Sequence, residues 1–312
     1  MGRLEKIMYD KRFVEQVRIL LTCLPVVAKE TCFALKGGTA INLFFTNLPR
    51  LSVDIDLTYI PVENKKASTQ GIQTALENII KGLKNSIAGF SYMPGKDKEG
   101  VLKKYMVQHK RASIKIEPSF VLRGSLYPLQ LWDSCEKVNE IFNIKLLDVP
   151  TLDRDEVYAG KICAALARQH PRDLYDMKIL LETDKINDRM RKAFVIYLAS
   201  NPKPIHEVLS PRLYDIQGAY ENQFARMTDH EVKLADLLEI RDDLIKSVRD
   251  SLTLDERNFL YSIKSGSPNY HLMPFDNLEK WPGLQWKLFN ISKMDPERAQ
   301  QMSIKLKEVL EL

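Results

Sequence analysis

Asp54 and Asp56 stand two positions apart in the run SVDIDL, interleaved with Val53, Ile55 and Leu57. A β-strand sends residues i and i+2 to one face, roughly 6.6 Å apart. Ser52, Asp54, Asp56 and Thr58 therefore leave one side and the aliphatic residues the other. Two like charges on one strand face repel, and aspartate is disfavoured in strands. A divalent cation relieves that repulsion, and Mg²⁺ prefers carboxylate oxygens shared with substrate phosphates. Upstream, Gly37, Gly38 and Thr39 make a turn that opens an apolar helix. Backbone N–H groups and the positive end of a helix dipole suit a phosphate at such a turn, and Lys36 either adds charge beside it or is simply solvated.

Two further clusters can join this chemistry. The run RASIKIEPSF puts Lys115 and Glu117 on one strand face, opposite Ile114 and Ile116. Glu117 is either a third carboxylate, able to bind metal or take a proton from an attacking hydroxyl, or half of a surface ion pair. In GKICAALARQHPRDLYDMKILL, Lys161 sits mid-helix among small alanines, and Asp173 and Asp176 share one side of the next helix. Arg172 is spaced to pair with Asp176. A lysine aimed at a triphosphate offsets charge developing during transfer; salt bridges between the two helices are the structural alternative. Paired carboxylates of this kind hold metal ions in phosphoryl and nucleotidyl transfer.

The elements that must position these groups follow from periodicity. Apolar spacing predicts a helix over residues 11–30 and another over 69–88, separated by a strand at 32–35, a helix at 39–45, the Asp54/Asp56 strand and a polar linker, PVENKKAST. Strands are expected at 101–108, behind a PGKDKEG turn, and at 111–121, with a further one around 142–149. From Leu152 onward the pattern is helical. Asp153 with Glu156, and Thr253 with Glu256, have capping-box spacing; Pro171 and Pro296 suit first helical turns. The expected class is α+β, a mixed sheet with helices, with a sheet domain over 1–150 and a helical domain over 151–312 that completes the active-site cleft.

Bulk properties narrow the setting. The chain has 312 residues, 45% of them hydrophobic, and a formal charge of +5; this is an ordinary globular composition that permits a polyanionic partner without requiring one. Cys23, Cys32, Cys135 and Cys163 have no metal-ligand spacing and fit free thiols in a reducing cytoplasm. The charged start MGRLEKIMYDKRF lacks the apolar region of a signal peptide, and no run is long enough to span a membrane. His170, His206, His230 and His271 show no mutual helical spacing and receive no role. Trp281 and Trp286 read as core.

Taken together, G-G-T, a helix, S-x-D-I-D-L, a strand lysine and glutamate, and G-K…R…P-R-D-L-Y-D resemble the AbiEii family, as does the tail LQWKLFNISKMDPER. These are nucleotidyltransferase-like toxins of bacterial type IV toxin–antitoxin and abortive-infection systems, within the DNA polymerase β-type superfamily. The resemblance implies a nucleotidyltransferase fold and a helical carboxy-terminal domain. It implies that Gly37, Gly38 and Thr39 hold nucleotide phosphates with Lys36 and Ser52 nearby, and that Asp54 and Asp56 bind Mg²⁺. Lys161 then contacts the triphosphate and Asp173 completes the centre, as the base if Glu117 is not, with Asp176 on the same helix face among the nucleotide-binding residues. The expected substrate is an NTP (CTP or GTP) and the expected acceptor is RNA, foremost a tRNA 3′ end. A separately encoded antitoxin is expected, and need not touch the toxin. Nucleotidylation of a protein or small molecule, and a non-catalytic NTP- or RNA-binding module, are the alternatives.

Overall fold

The computed structural model describes residues 9–110 and 112–312. The expectations for the first eight residues and for Arg111 lie outside these. Helix α1 (Lys11–Val27) is started by the Asp10 carboxylate, which accepts from the Arg12 N–H. It buries Phe13, Val17, Leu20 and Leu24 along one stripe. Strand β1 (Phe33–Lys36) runs into a short helix, α2 (Gly37–Ala40), which continues as a π-helical turn over Ile41–Phe45. Then come β2 (Asp54–Tyr59), α3 (Lys65–Ser86), β3 (Phe90–Lys96), β4 (Leu102–His109) and β5 (Ala112–Ser119). Strand β6 (Gln130–Trp132), α4 (Glu136–Phe142) and β7 (Val149–Thr151) close the sheet region.

These strands form one mixed sheet in the order β3-β4-β5-β2-β1-β7-β6. The register places the chemistry at its centre. Antiparallel pairing of β1 with β2 sets Lys36 opposite Asp56. Parallel pairing of β2 with β5 sets Asp54 opposite Lys115 and Asp56 opposite Glu117. On β5 burial alternates at every residue, Ile114 and Ile116 inward and Lys115 and Glu117 outward, as the period of a half-buried strand requires.

Helices follow: α5 (Arg154–Arg168), α6 (Pro171–Thr183), α7 (Asp188–Ala199), α8 (Ile205–Leu209), α9 (Gln217–Gln223), α10 (Leu234–Ser251), α11 (Leu254–Lys264), α12 (Pro282–Ser292) and α13 (Pro296–Leu310). The architecture is thus a mixed seven-stranded sheet with helices followed by a helical region, the expected class. The capping box at Thr253 and Glu256 is complete, and Asp295 accepts from the Arg298 N–H. Among the described residues no helix is long and apolar enough to cross a membrane.

Several local expectations change. Asn64 caps α3 by accepting from the Ala67 N–H, so the helix begins inside the expected linker. Strand β3 includes Pro94 and Gly95, which read as a turn; it is an edge strand, where a missing N–H is tolerated. The apolar stretch over 142–149 is no strand: α4 ends at Phe142, Asn143 turns the chain at φ 54°, and β7 begins only at Val149. Asp153 caps α5 through the Asp155 N–H, but Glu156 does not return to the cap. It is fully buried and accepts from the N–H groups of Leu126 and Tyr127 and the hydroxyls of Ser125 and Tyr197. All four cysteines are free thiols, Cys23 and Cys163 buried and the other two partly so. Trp281 is core, whereas Trp286 is 37% exposed on α12.

Candidate active site

The glycine turn is built around Asp56. Gly37 has φ +71°, a backbone region open to glycine at little cost, and a Cβ there would lie 2.8 Å from Asp56 Oδ2. The chain therefore passes directly over the carboxylate. Gly38 has a different reason: a Cβ would meet Arg50 Nη2 at 2.6 Å. Thr39 and Ser52 are buried behind the turn. Thr39 Oγ1 donates to the Asp54 carbonyl at 2.5 Å and lies 3.0 Å from Ser52 Oγ. These two hydroxyls tie the turn to the start of β2, while Lys36 and Gly37 face the open side.

On that side Asp54 and Asp56 leave β2 together, both only partly buried. Burial first, and the neighbouring Asp54 charge second, raise the Asp56 carboxyl above the ordinary range, against the opposing pull of Lys115, Lys36 and Lys161. Burial depresses the Lys36 ammonium, with Asp56 acting against it. Arg172 approaches Asp54 at 3.8 Å; it does not make the expected pair with Asp176. Glu117 is bound to Lys115 at 2.7 Å and faces Lys104 at 3.8 Å. Among the described residues no three His, Cys, Asp or Glu side chains converge on one ion position, so Glu117 stands apart from the aspartate pair.

Behind this face lies a buried charge network. Lys161 Nζ is 2.9 Å from Asp173 Oδ1 and 3.0 Å from Asp176 Oδ2. Arg50, 2% exposed, clasps Asp176 through Nε and Nη2 at 2.8 and 2.6 Å. Asn42 Nδ2 donates both to Asp176 and to the Gly38 carbonyl. From the exposed rim, Arg168 Nη2 reaches Asp173 at 3.0 Å. Burial alone would raise both aspartates, but Lys161 and Arg168 hold Asp173 well below the carboxylate range, and Arg50 and Lys161 lower Asp176. The salt bridges between α5 and α6, the structural alternative for this cluster, are present, and the network extends into the sheet region through Arg50 and Asn42. Neither Arg50 nor Asn42 stands out in the sequence, because each acquires its partner only through tertiary packing.

A cavity of about 280 Å³ opens between β1, α2 and α5. Lys36, Gly37, Asp56, Lys161 and Arg168 are among its lining residues. Leu122, Leu152, Val157, Cys163, Tyr197 and Glu156 also line it. Its basic groups suit phosphates and its aliphatic and aromatic walls a partly apolar group. The two strand carboxylates offer hard oxygen donors beside a phosphate-sized space, and their mutual repulsion is what a divalent cation removes. The residues present therefore fit Mg²⁺ at Asp54 and Asp56.

Comparison with known proteins adds an independent finding. Residues 18–288 match the family described as nucleotidyl transferase AbiEii toxin, type IV toxin–antitoxin system. No curated protein sequence gives a match. Among solved structures the chain is similar to MenT4, a nucleotidyltransferase toxin from Mycobacterium tuberculosis, with a TM-score of 0.60 and 14% identity over 99% of this chain and 95% of that one. At that identity the likeness is one of fold.

Proposed function

Because the chain belongs to the AbiEii family of nucleotidyltransferase toxins of type IV toxin–antitoxin systems, we propose that it transfers a nucleoside monophosphate from an NTP, CTP or GTP, to an acceptor hydroxyl. The observation that carries this reading is the single cavity joining Gly37, Asp56 and Lys161. Residues 1–150 act as the nucleotidyltransferase domain, and 151–312 supply Lys161, Asp173 and Asp176 from the far wall of the cleft.

Asp54 and Asp56 would hold Mg²⁺. When bound, the ion polarises the α-phosphate and screens its charge from an incoming oxygen. Lys161 faces the departing phosphates with its ammonium fixed by Asp173 and Asp176, so little reorientation is needed as negative charge builds. Asp173, held as a stable anion by Lys161 and Arg168, is a weak base; its part is to aim Lys161. Lys36, Arg168 and Arg172 add positive charge around the phosphates, and the Gly37–Thr39 turn sets their distance from Asp56. The acceptor oxygen forms a bond to the α-phosphorus as the bond to the β-phosphate bridging oxygen breaks. Pyrophosphate leaves, and the hydroxyl proton passes to water, since Glu117 is held by Lys115 outside the cavity.

The acceptor is RNA, foremost a tRNA 3′ end, in keeping with the surplus of positive charge. The toxin acts in the cytoplasm, where its free thiols stay reduced, opposed by a separately encoded antitoxin that need not contact it. Incubating total RNA and total protein with each α-³²P-labelled NTP tests this. Label in RNA, sensitive to RNase and released from tRNA 3′ ends, is expected. Label that survives RNase and is lost to protease would refute the RNA acceptor, and no Mg²⁺-dependent label in any fraction would refute the transferase.

A further inference from the structure

A second cavity, about 220 Å³, lies among α8, α11, α12 and α13, away from the aspartates and the glycine turn. Trp286, Met302 and Leu306 contribute to a mainly apolar lining. Into this lining come three basic side chains: His206, Lys264 and Lys287. Lys287 is 7% exposed and donates to the carbonyls of Asn201 and Lys203 at 2.7 and 2.8 Å. Lys264, 8% exposed, has a weaker setting. Its ammonium contacts Met294 Sδ at 3.6 Å, and among the described residues no carboxylate forms an ion pair with it. Its place in the last turn of α11 gives it the negative helix end, a fraction of a counter-charge.

Burying an ammonium without an anion is costly, and here the charges also oppose one another. After burial itself, Lys264 is the main group depressing Lys287, while Lys305, Lys264 and Lys287 all act on His206. Arg298 acts on Lys264 in the same sense. The acid facing this group is Glu207, whose side chain is exposed on α8. A cavity of this size with basic groups set in a mainly apolar lining suits an occupant that is apolar at one end and anionic at the other.

The geometry points to a binding site for a small organic anion, its carboxylate or phosphate between Lys264 and His206 and its apolar body against Trp286, Met302 and Leu306. Isothermal titration of the full-length protein with octanoate, phenyl phosphate, octanol and inorganic phosphate separates the two requirements. Octanoate or phenyl phosphate is expected to bind at one site, at least tenfold tighter than octanol or inorganic phosphate. Lys264→Met should weaken that binding at least tenfold while leaving the thermal midpoint of the free protein unchanged or higher, since an uncompensated charge is removed. Met302→Trp, which fills the cavity, should block it. The site is overturned if neither organic anion binds, if inorganic phosphate binds as tightly as phenyl phosphate, or if Lys264→Met binds like the wild type.

Discussion

Arg50 and Asp176 lie 126 residues apart in the chain and meet as a buried bidentate pair, Nε to Oδ1 at 2.8 Å and Nη2 to Oδ2 at 2.6 Å. The pair joins the segment entering β2 to α6, and through Asp176 it reaches Lys161. The glycine turn and the phosphate-facing lysine are thereby set by one shared carboxylate.

Arg50→Ala leaves Asp176 with half of its positive partners. Breaking one side of a buried ion pair costs about 3–5 kcal/mol. A clear fall in the thermal midpoint is expected, with transfer activity lost in proportion. Arg50→Lys, which keeps the charge but not the planar fork, should recover stability in part and activity less. Equal recovery of both would argue against a positioning role.

Lys161 and Asp56 should separate cleanly. Lys161→Ala strips the ammonium from between two buried carboxylates, so activity and folding stability should fall together. Asp56→Asn removes a charge that burial and Asp54 already disfavour. It should abolish transfer while leaving the metal-free protein as stable or about 2 °C more so. A strongly destabilised Asp56→Asn would contradict the repulsion inferred for the pair.

Gly37→Ala combines an unfavourable φ with a Cβ 2.8 Å from Asp56 Oδ2. The strain amounts to about 1–2 kcal/mol. Because relief requires moving Asp56, the loss of activity is expected to exceed ten-fold, more than the stability change alone would produce. Calorimetric Mg²⁺ binding checks the cause: it is expected to weaken both in Gly37→Ala and in Asp54→Asn.

Much of this was legible from the sequence. The alternation around Asp54 and Asp56 survives because strand period alone decides which side chains share a face. Asp173 and Asp176 could be placed on one side of α6 from helical spacing. What could not be read were partners distant in the chain. Asp176 pairs with Arg50 and Lys161, not with Arg172 as local spacing suggests, because a buried carboxylate must offset its desolvation with close partners, and the fold brings Arg50 in as a bidentate fork. Glu156 resembles a cap in sequence, yet α5 turns it inward to a nest of N–H groups and hydroxyls. Strand β3 was hidden by Pro94 and Gly95, residues that an edge position tolerates.

Glu156 also gives the molecule a pH dependence. Burial raises its carboxyl to about 7, against hydrogen bonds that favour the anion, from an ordinary value of 4.5. Below the ordinary value the group is protonated whether the chain is folded or not. As pH rises, the unfolded chain releases its proton first, so the folded state loses on the order of 3 kcal/mol by the time pH passes 7. Thermal midpoints measured between pH 4.5 and 8 should show this decline in the wild type and a flatter profile in Glu156→Gln. Parallel profiles would exclude Glu156 as the source.

The Arg50 clasp has a consequence for recombination between relatives. A chimaera that grafts the sheet half of this protein onto foreign helices inherits a dehydrated guanidinium, and it will be viable only where the donor supplies an acid at the position of Asp176. This pair therefore marks which chimaeras will yield soluble protein.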